Sequence, residues 1–95
     1  MNIVELLERV VRDQASDGFI SAGARPSIKV DGKISPIADK PLTEEETREI
    51  VLSTMREDQK TDFLTHHECN YALSYEGLGR FRASAFVQRG KCGLV

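Results

Sequence analysis

No run in this 95-residue chain approaches the ~20 consecutive apolar residues that a membrane-spanning helix needs, so direct membrane insertion is not expected. The first residues are Met1, Asn2, Ile3, Val4 and Glu5, with no basic segment leading into an apolar block. No signal peptide is read there, and the expected location is the cytoplasm. Two cysteines are too few for a disulfide framework. Tryptophan is missing, which leaves Ile, Val, Leu, Phe and Ala to fill the interior. Internal repeats and low-complexity segments are also missing. Basic residues are in slight deficit: the net charge is −2, against the strong basic excess of a dedicated nucleic-acid binder.

What remains is the composition of one soluble globular domain, 40% hydrophobic and 29% charged. The charge is unevenly placed. From Gly77 to Val95 there are four basic residues and no acid, whereas the preceding 76 residues hold nine basic against fifteen acidic. Such asymmetry points to an anionic partner for one surface. The chain stops in "KCGLV", which reads as the start of an apolar strand, and a fragment of a longer protein is expected.

Periodicity gives an α+β order of α, β, β, β, α, α, β, β, β. Asn2 can cap a first helix, with Glu5 at the reciprocal capping position, and Ile3, Leu6, Leu7, Val10 and Val11 share one helical stripe. Residues 14–18 end it, and residues 19–22 read as a short strand. Two strands, "SIKV" and "KISPI", flank Asp31 and Gly32, a strong two-residue hairpin signal; Pro36 must sit at an edge or an end. Thr43 with Glu46 makes a capping box for a second helix carrying Ile50, Val51 and Met55 inward. Asp58 is expected to cap a shorter helix anchored by Phe63 and Leu64. Alternation in "ECNYALSY" turns Cys69, Tyr71, Leu73 and Tyr75 to one face. "RFRASAFVQ" is the longest strand, and the last three strands should form an antiparallel meander.

Three motifs carry chemistry on their face. Gly90 and Lys91 supply the middle of a phosphate-binding loop. Ala85 holds the first-glycine position, however, and Cys92 the hydroxyl position, so the pair reads as a hairpin turn and the chain is expected to hydrolyse no nucleotide itself. "HHEC" has a metal-like composition, but adjacent helical histidines point about 100° apart and no second Cys/His pair lies near. Cys69 and Cys92 fall on strands that flank a third, roughly 9.5 Å apart, beyond the ~7 Å reach of a disulfide. The basic strand is the informative one. Phe81, Ala83, Ala85 and Val87 take its core face, and Arg80, Arg82, Ser84, Phe86 and Gln88 the other. Two arginines on one strand face can hold phosphate oxygens, and the same pattern also fits an ordinary solvated face.

The segments "ISAGARPSIKVDGKISPI", "LTEEETREIVLSTM", "DQKTDF" and "GLGRFRASAFVQRG", in this order and spacing, resemble the N-terminal domain of the type IV pilus retraction ATPases, the PilT/PilU twitching-motility family within the secretion-ATPase superfamily. The run "HECNYALSYEGLGRFRASAFVQR" is similar to the PilU side of that family. Gly18 departs from the family pattern, which usually has a bulky apolar residue before the strand. The resemblance implies a single PAS-like domain over residues 1–95, with about six antiparallel strands and helices on one side. It also implies a C-terminal RecA-like ATPase domain in the full-length protein, hexamer assembly through neighbouring subunits, and work at the inner-membrane base of the pilus machinery.

ATP and Mg would then belong to the full-length protein only. The family's R-x-S motif near the nucleotide phosphates matches Arg82 and Ser84 here; Arg80 and Arg89 are weaker candidates, and no catalytic or metal residue is expected. Two other readings stay open. One is a stand-alone PAS-like sensor of a small ligand, which would need a cavity lined by convergent polar groups. The other is an interaction module docking through the acidic helix of residues 43–55.

Overall fold

The computed structural model describes residues 1–88 and 91–94, without the side chains of Lys91 and Cys92. Its elements are α1 (Ile3–Arg12), β1 (Asp17–Ser21), β2 (Ser27–Val30), β3 (Lys33–Pro36), α2 (Glu44–Ser53), α3 (Glu57–His66), β4 (Glu68–Tyr75), β5 (Gly79–Gln88) and β6 (Lys91–Leu94). The strands form a six-stranded sheet in the order β3-β2-β1-β6-β5-β4, antiparallel at every junction. The α+β order and the closing meander are as the sequence implies. β1 is the joint of the sheet: Asp17, Gly18 and Phe19 pair with β2, and Ile20 and Ser21 with β6.

All three helices pack on one face. Ile3, Leu6 and Leu7 of α1, Ile50 and Val51 of α2, and Phe63 of α3 share one buried cluster with Ile20, Ile28, Tyr71, Leu73, Ala83, Ala85 and Leu94 of the sheet. Burial of this apolar surface is the main favourable term holding the layers together. Gly18 lets α1 lie close to β1. A Cβ there would stand 3.1 Å from Leu6 Cδ2 and 3.3 Å from Val10 Cγ2, so a side chain at this position would need Leu6 and Val10 to give by a few tenths of an ångström.

The capping chemistry holds in part. The Thr43 hydroxyl accepts from the Glu46 N–H and the Glu46 carboxylate accepts from the Thr43 N–H, each at 3.0 Å. Asn2 Oδ1 accepts from the Glu5 N–H at 3.0 Å, and among the described residues the reciprocal bond is not made. α3 starts two residues earlier than the sequence suggests: Arg56, not Asp58, takes the N-cap position, and its N–H donates to Gln59 Oε1 at 2.9 Å. Asp58 instead pairs with the Arg56 guanidinium. Three further expectations are corrected. Val11 is exposed because α1 ends one residue later and the side that reaches the sheet is formed by Ile3, Leu6 and Leu7 with Val10 beside them. Leu64 is 51% exposed because α3 meets β4 through one narrow face, which Phe63 occupies. The first strand begins at Asp17 rather than Phe19 because Asp17 and Gly18 already pair with β2.

Candidate functional site

The basic strand is paired with β4 over residues 79–86 and with β6 over residues 85–88. β4 and β5 are joined by a tight turn in which the Leu78 N–H donates to the Tyr75 carbonyl at 3.0 Å, and Gly79 at φ 111° adopts a backbone that side-chain-bearing residues avoid. The ladder then fixes every residue of β5: Arg80 faces Ser74, Arg82 faces Ala72, Ser84 faces Asn70 and Phe86 faces Glu68. β6 pairs on the other side, with Phe86 opposite Gly93 and Gln88 opposite Lys91. Ala83 and Ala85 are buried under the helices, so Arg80, Arg82 and Ser84 must stand on the face away from them, where all three are exposed.

That face has no helix over it. Neither Arg80 nor Arg82 has an ion-pair partner among the described residues; the ion pairs present belong to α1, its C-cap Asp13, and α3 with its N-cap Arg56. Small neighbours, Ser74 and Ala72, leave room above both guanidinium groups. Arg89 lies outside the described residues. Lys91 opens a strand, so the Gly90–Lys91 pair does not lead into a helix as a phosphate-binding loop would.

Two other places could be sites. A cleft of about 260 Å³ lies between α1 and the β4–β5 hairpin, floored by Leu73, Phe81 and Ala83, walled by Leu6 and Val10, with Ser16 and Asp17 its polar members and Arg82 also bordering it. Its lining is chiefly apolar. At the end of α3, His66 Nδ1 sits 2.9 Å from Asp62 Oδ1, while His67 in a left-handed conformation ends the helix. The two imidazoles therefore have separate roles. Cys69 is buried and unpaired; burial pushes its thiol pKa up, which keeps it protonated and unreactive.

The sequence reading missed a buried polar pair. Thr54 and Tyr71 are both in the core, and their hydroxyls share a short hydrogen bond. Thr54 donates its single proton to the Val51 carbonyl at 2.7 Å, so Tyr71 is the donor to Thr54. Burial raises the Tyr71 pKa, in keeping with a neutral donor. The pair is a strut between α2 and β4, with no access for a ligand.

No family model matches the chain. It is 50% identical over all 95 residues to the type IV pilus ATPase PilU of Pseudomonas aeruginosa, of which it covers 25%, and 35% identical over the same length to the retraction ATPase PilT of that organism, of which it covers 28%. The crystal structure of the pilus retraction motor PilT with bound ADP superposes with a TM-score of 0.90 at 30% identity, over 99% of this chain and 28% of that one. The chain matches the N-terminal region of PilU and PilT. The Legionella pneumophila ATPase DotB shares the fold, with a TM-score of 0.79 at 20% identity. The chain thus spans about a quarter of the length of its PilT/PilU relatives. No helix among its described residues is long and apolar enough to cross a membrane.

Proposed function

We propose that the chain is the nucleotide-covering and subunit-packing N-terminal domain of a hexameric ATPase motor, one that drives pilus retraction and twitching motility from the cytoplasmic side of the pilus machine. The observation that carries this reading is the bare face of β5. Arg80 and Arg82 are exposed, unpaired among the described residues, and mounted on a strand laddered to β4 along this stretch, with β6 joining its other side from Ala85 onward. These residues fit a polyphosphate: a guanidinium offers a planar fork of donors, and a strand inside a sheet holds it with little conformational freedom.

In this reading ATP and Mg are bound by a RecA-like domain in the longer protein, and Arg82 meets the phosphates from the N-terminal side. Charge that develops on the transferred phosphoryl group is what such a cation stabilises. Arg80 contributes at longer range, and Arg89 retains a weaker claim. The chain alone hydrolyses no ATP and binds it weakly, because exposed arginines are screened by water and salt.

The test is Arg82→Ala in the longer protein with its ATPase domain attached. Turnover should fall on the order of 10³-fold or more, the scale of an arginine finger. Arg82→Lys should restore part of it, since an ammonium lacks the fork. Unchanged turnover in the alanine variant would remove Arg82 from the site.

The sensor reading has one observation in its favour, the cleft beneath α1. Its lining offers Ser16 and Asp17 but no converging set of polar groups to orient a ligand, so the β5 face is preferred.

A further inference from the structure

Phe86 occupies the same open face as Arg80 and Arg82, and its ring is folded down onto β6. An ideal Cβ on Gly93 would stand 2.5 Å from Cε2 and Cζ of Phe86. The outer half of the ring therefore fills the space where a side chain at position 93 would be. One ring face rests on the Gly93 backbone, and Phe86 stays only half-buried although no helix covers this side of the sheet. A half-exposed aromatic lying against a glycine backbone is a flat platform for another planar ring.

The order of groups along β5 gives the platform its ligand. Phe86 and Arg82 point the same way four residues apart, about 13 Å at the strand rise. Ser84 stands between them, with Asn70 of β4 directly opposite. Arg80 lies one step past Arg82. An aromatic surface, then two hydrogen-bonding side chains, then two unpaired cations is the sequence of chemistries along an extended nucleoside triphosphate: base, sugar, phosphates. The acid nearest the platform, Glu68, faces Phe86 across the ladder at the base end, away from the arginines.

We infer that Phe86, seated on Gly93, is the base platform of the nucleotide site, with Ser84 and Asn70 facing the sugar and Arg82 and Arg80 the phosphates. This rests on the proposed role of Arg82. It goes beyond that role by assigning base recognition to the N-terminal region itself. Gly93 becomes a positioning residue, since any side chain there would push the ring up and off the sheet.

The chain has no tryptophan, so Phe86→Trp places a single indole reporter on the platform. Its fluorescence is titrated with Mg-ATP and, separately, with Mg-tripolyphosphate, both at millimolar concentration. ATP should quench it saturably, and tripolyphosphate should not. In the otherwise unchanged chain, followed by amide shifts, Phe86→Leu should weaken ATP about tenfold, a typical loss for one base–aromatic stack. The same change should leave tripolyphosphate binding as it was, whereas Arg82→Ala should weaken both. If tripolyphosphate binds and ATP binds no better, the base platform is wrong and the phosphate site stands. If neither binds, this face takes no nucleotide by itself and the platform is overturned, while the role of Arg82 in the longer protein is decided by its own turnover test. If a short single-stranded oligonucleotide quenches the indole more strongly than ATP does, the face reads nucleic acid and the inference is overturned. The shift measurements on Phe86→Leu decide the matter even if Phe86→Trp folds poorly.

Discussion

Phe63 and Leu64 are neighbours on α3, and only one of them is in the core. Phe63 is fully buried while Leu64 is 51% exposed. Phe63→Ala should therefore cost about 3–5 kcal/mol of unfolding free energy, and Leu64→Ala less than about 1 kcal/mol, both read from urea denaturation. A comparable loss at the two positions would mean that α3 is rotated from the orientation described. Composition could not separate the pair, because an apolar residue beside an apolar residue reads as core in either order. Tyr71 is a finer case. Tyr71→Phe keeps the ring in place but removes the donor to Thr54, and should cost about 0.5–1.5 kcal/mol. Alternation along β4 placed Tyr71 inward correctly, yet nothing local signals a partner seventeen residues away on α2. Phe86 was likewise legible as an outward residue. Its contact with Gly93 depends on the register between β5 and β6, which alternation within either strand does not reveal.

Among the elements, those with strong local chemistry were the most readable. The Asp31–Gly32 hairpin forms with φ of 49° and 78°, as a two-residue turn of this type requires. The Thr43–Glu46 capping box closes α2 from both sides. The start of α3 was misplaced because Asp58 is a good capping residue by type, whereas the helix begins where Gln59 can reach back to the Arg56 N–H. The capping box also makes a pH prediction. The Thr43 backbone N–H holds the Glu46 carboxyl pKa below its ordinary value of 4.5. A carboxyl whose pKa is lowered by folding contributes stability above its ordinary value and loses that contribution as pH falls through the lower, folded-state value. Glu46→Gln keeps an acceptor for the N–H but removes the titration. Urea denaturation should therefore show the two proteins differing at pH 7 and drawing together as pH falls below 4.5. A difference that did not shrink on acidification would assign the effect to something other than the charge.

The meander predicts the state of the thiols. Cys69 pairs with Ala85 on one side of β5, and Cys92 pairs with Val87 on the other. Strands separated by a third lie roughly 9.5 Å apart, and a disulfide needs Cα atoms within about 7 Å. Both cysteines should react with a thiol reagent in denaturant without prior reduction, and a Cys69–Cys92 bridge in the native protein would contradict the strand order.

For the molecule as a whole, the decisive feature is that the sheet is covered on one face only. The helices were legible from their apolar stripes, and their placement on one face follows from the single buried cluster that all three share with the sheet. The charge asymmetry of the sequence marked the segment that lies on the bare side. What the sequence left open was whether those arginines are paired, because the acids that outnumber them could have folded back onto the sheet. Among the described residues no acid pairs with them: the acidic partners in ion pairs stay on the helices and their caps, and Glu68 on β4 faces Phe86 rather than either arginine. An exposed and unpaired Arg82 should be nearly free of structural duty, so Arg82→Ala should change the stability of this chain by less than about 0.5 kcal/mol. The central claim is that the bare β4–β5 face, not the cleft under α1, receives the nucleotide. The most direct measurement is amide chemical-shift mapping of this chain titrated with millimolar Mg-ATP. Shifts should concentrate on Asn70, Arg80, Ser84 and Phe86, with Leu6, Val10 and Gly18 left unmoved. Shifts centred on Leu6, Val10 and Gly18, with the β5 face silent, would contradict it.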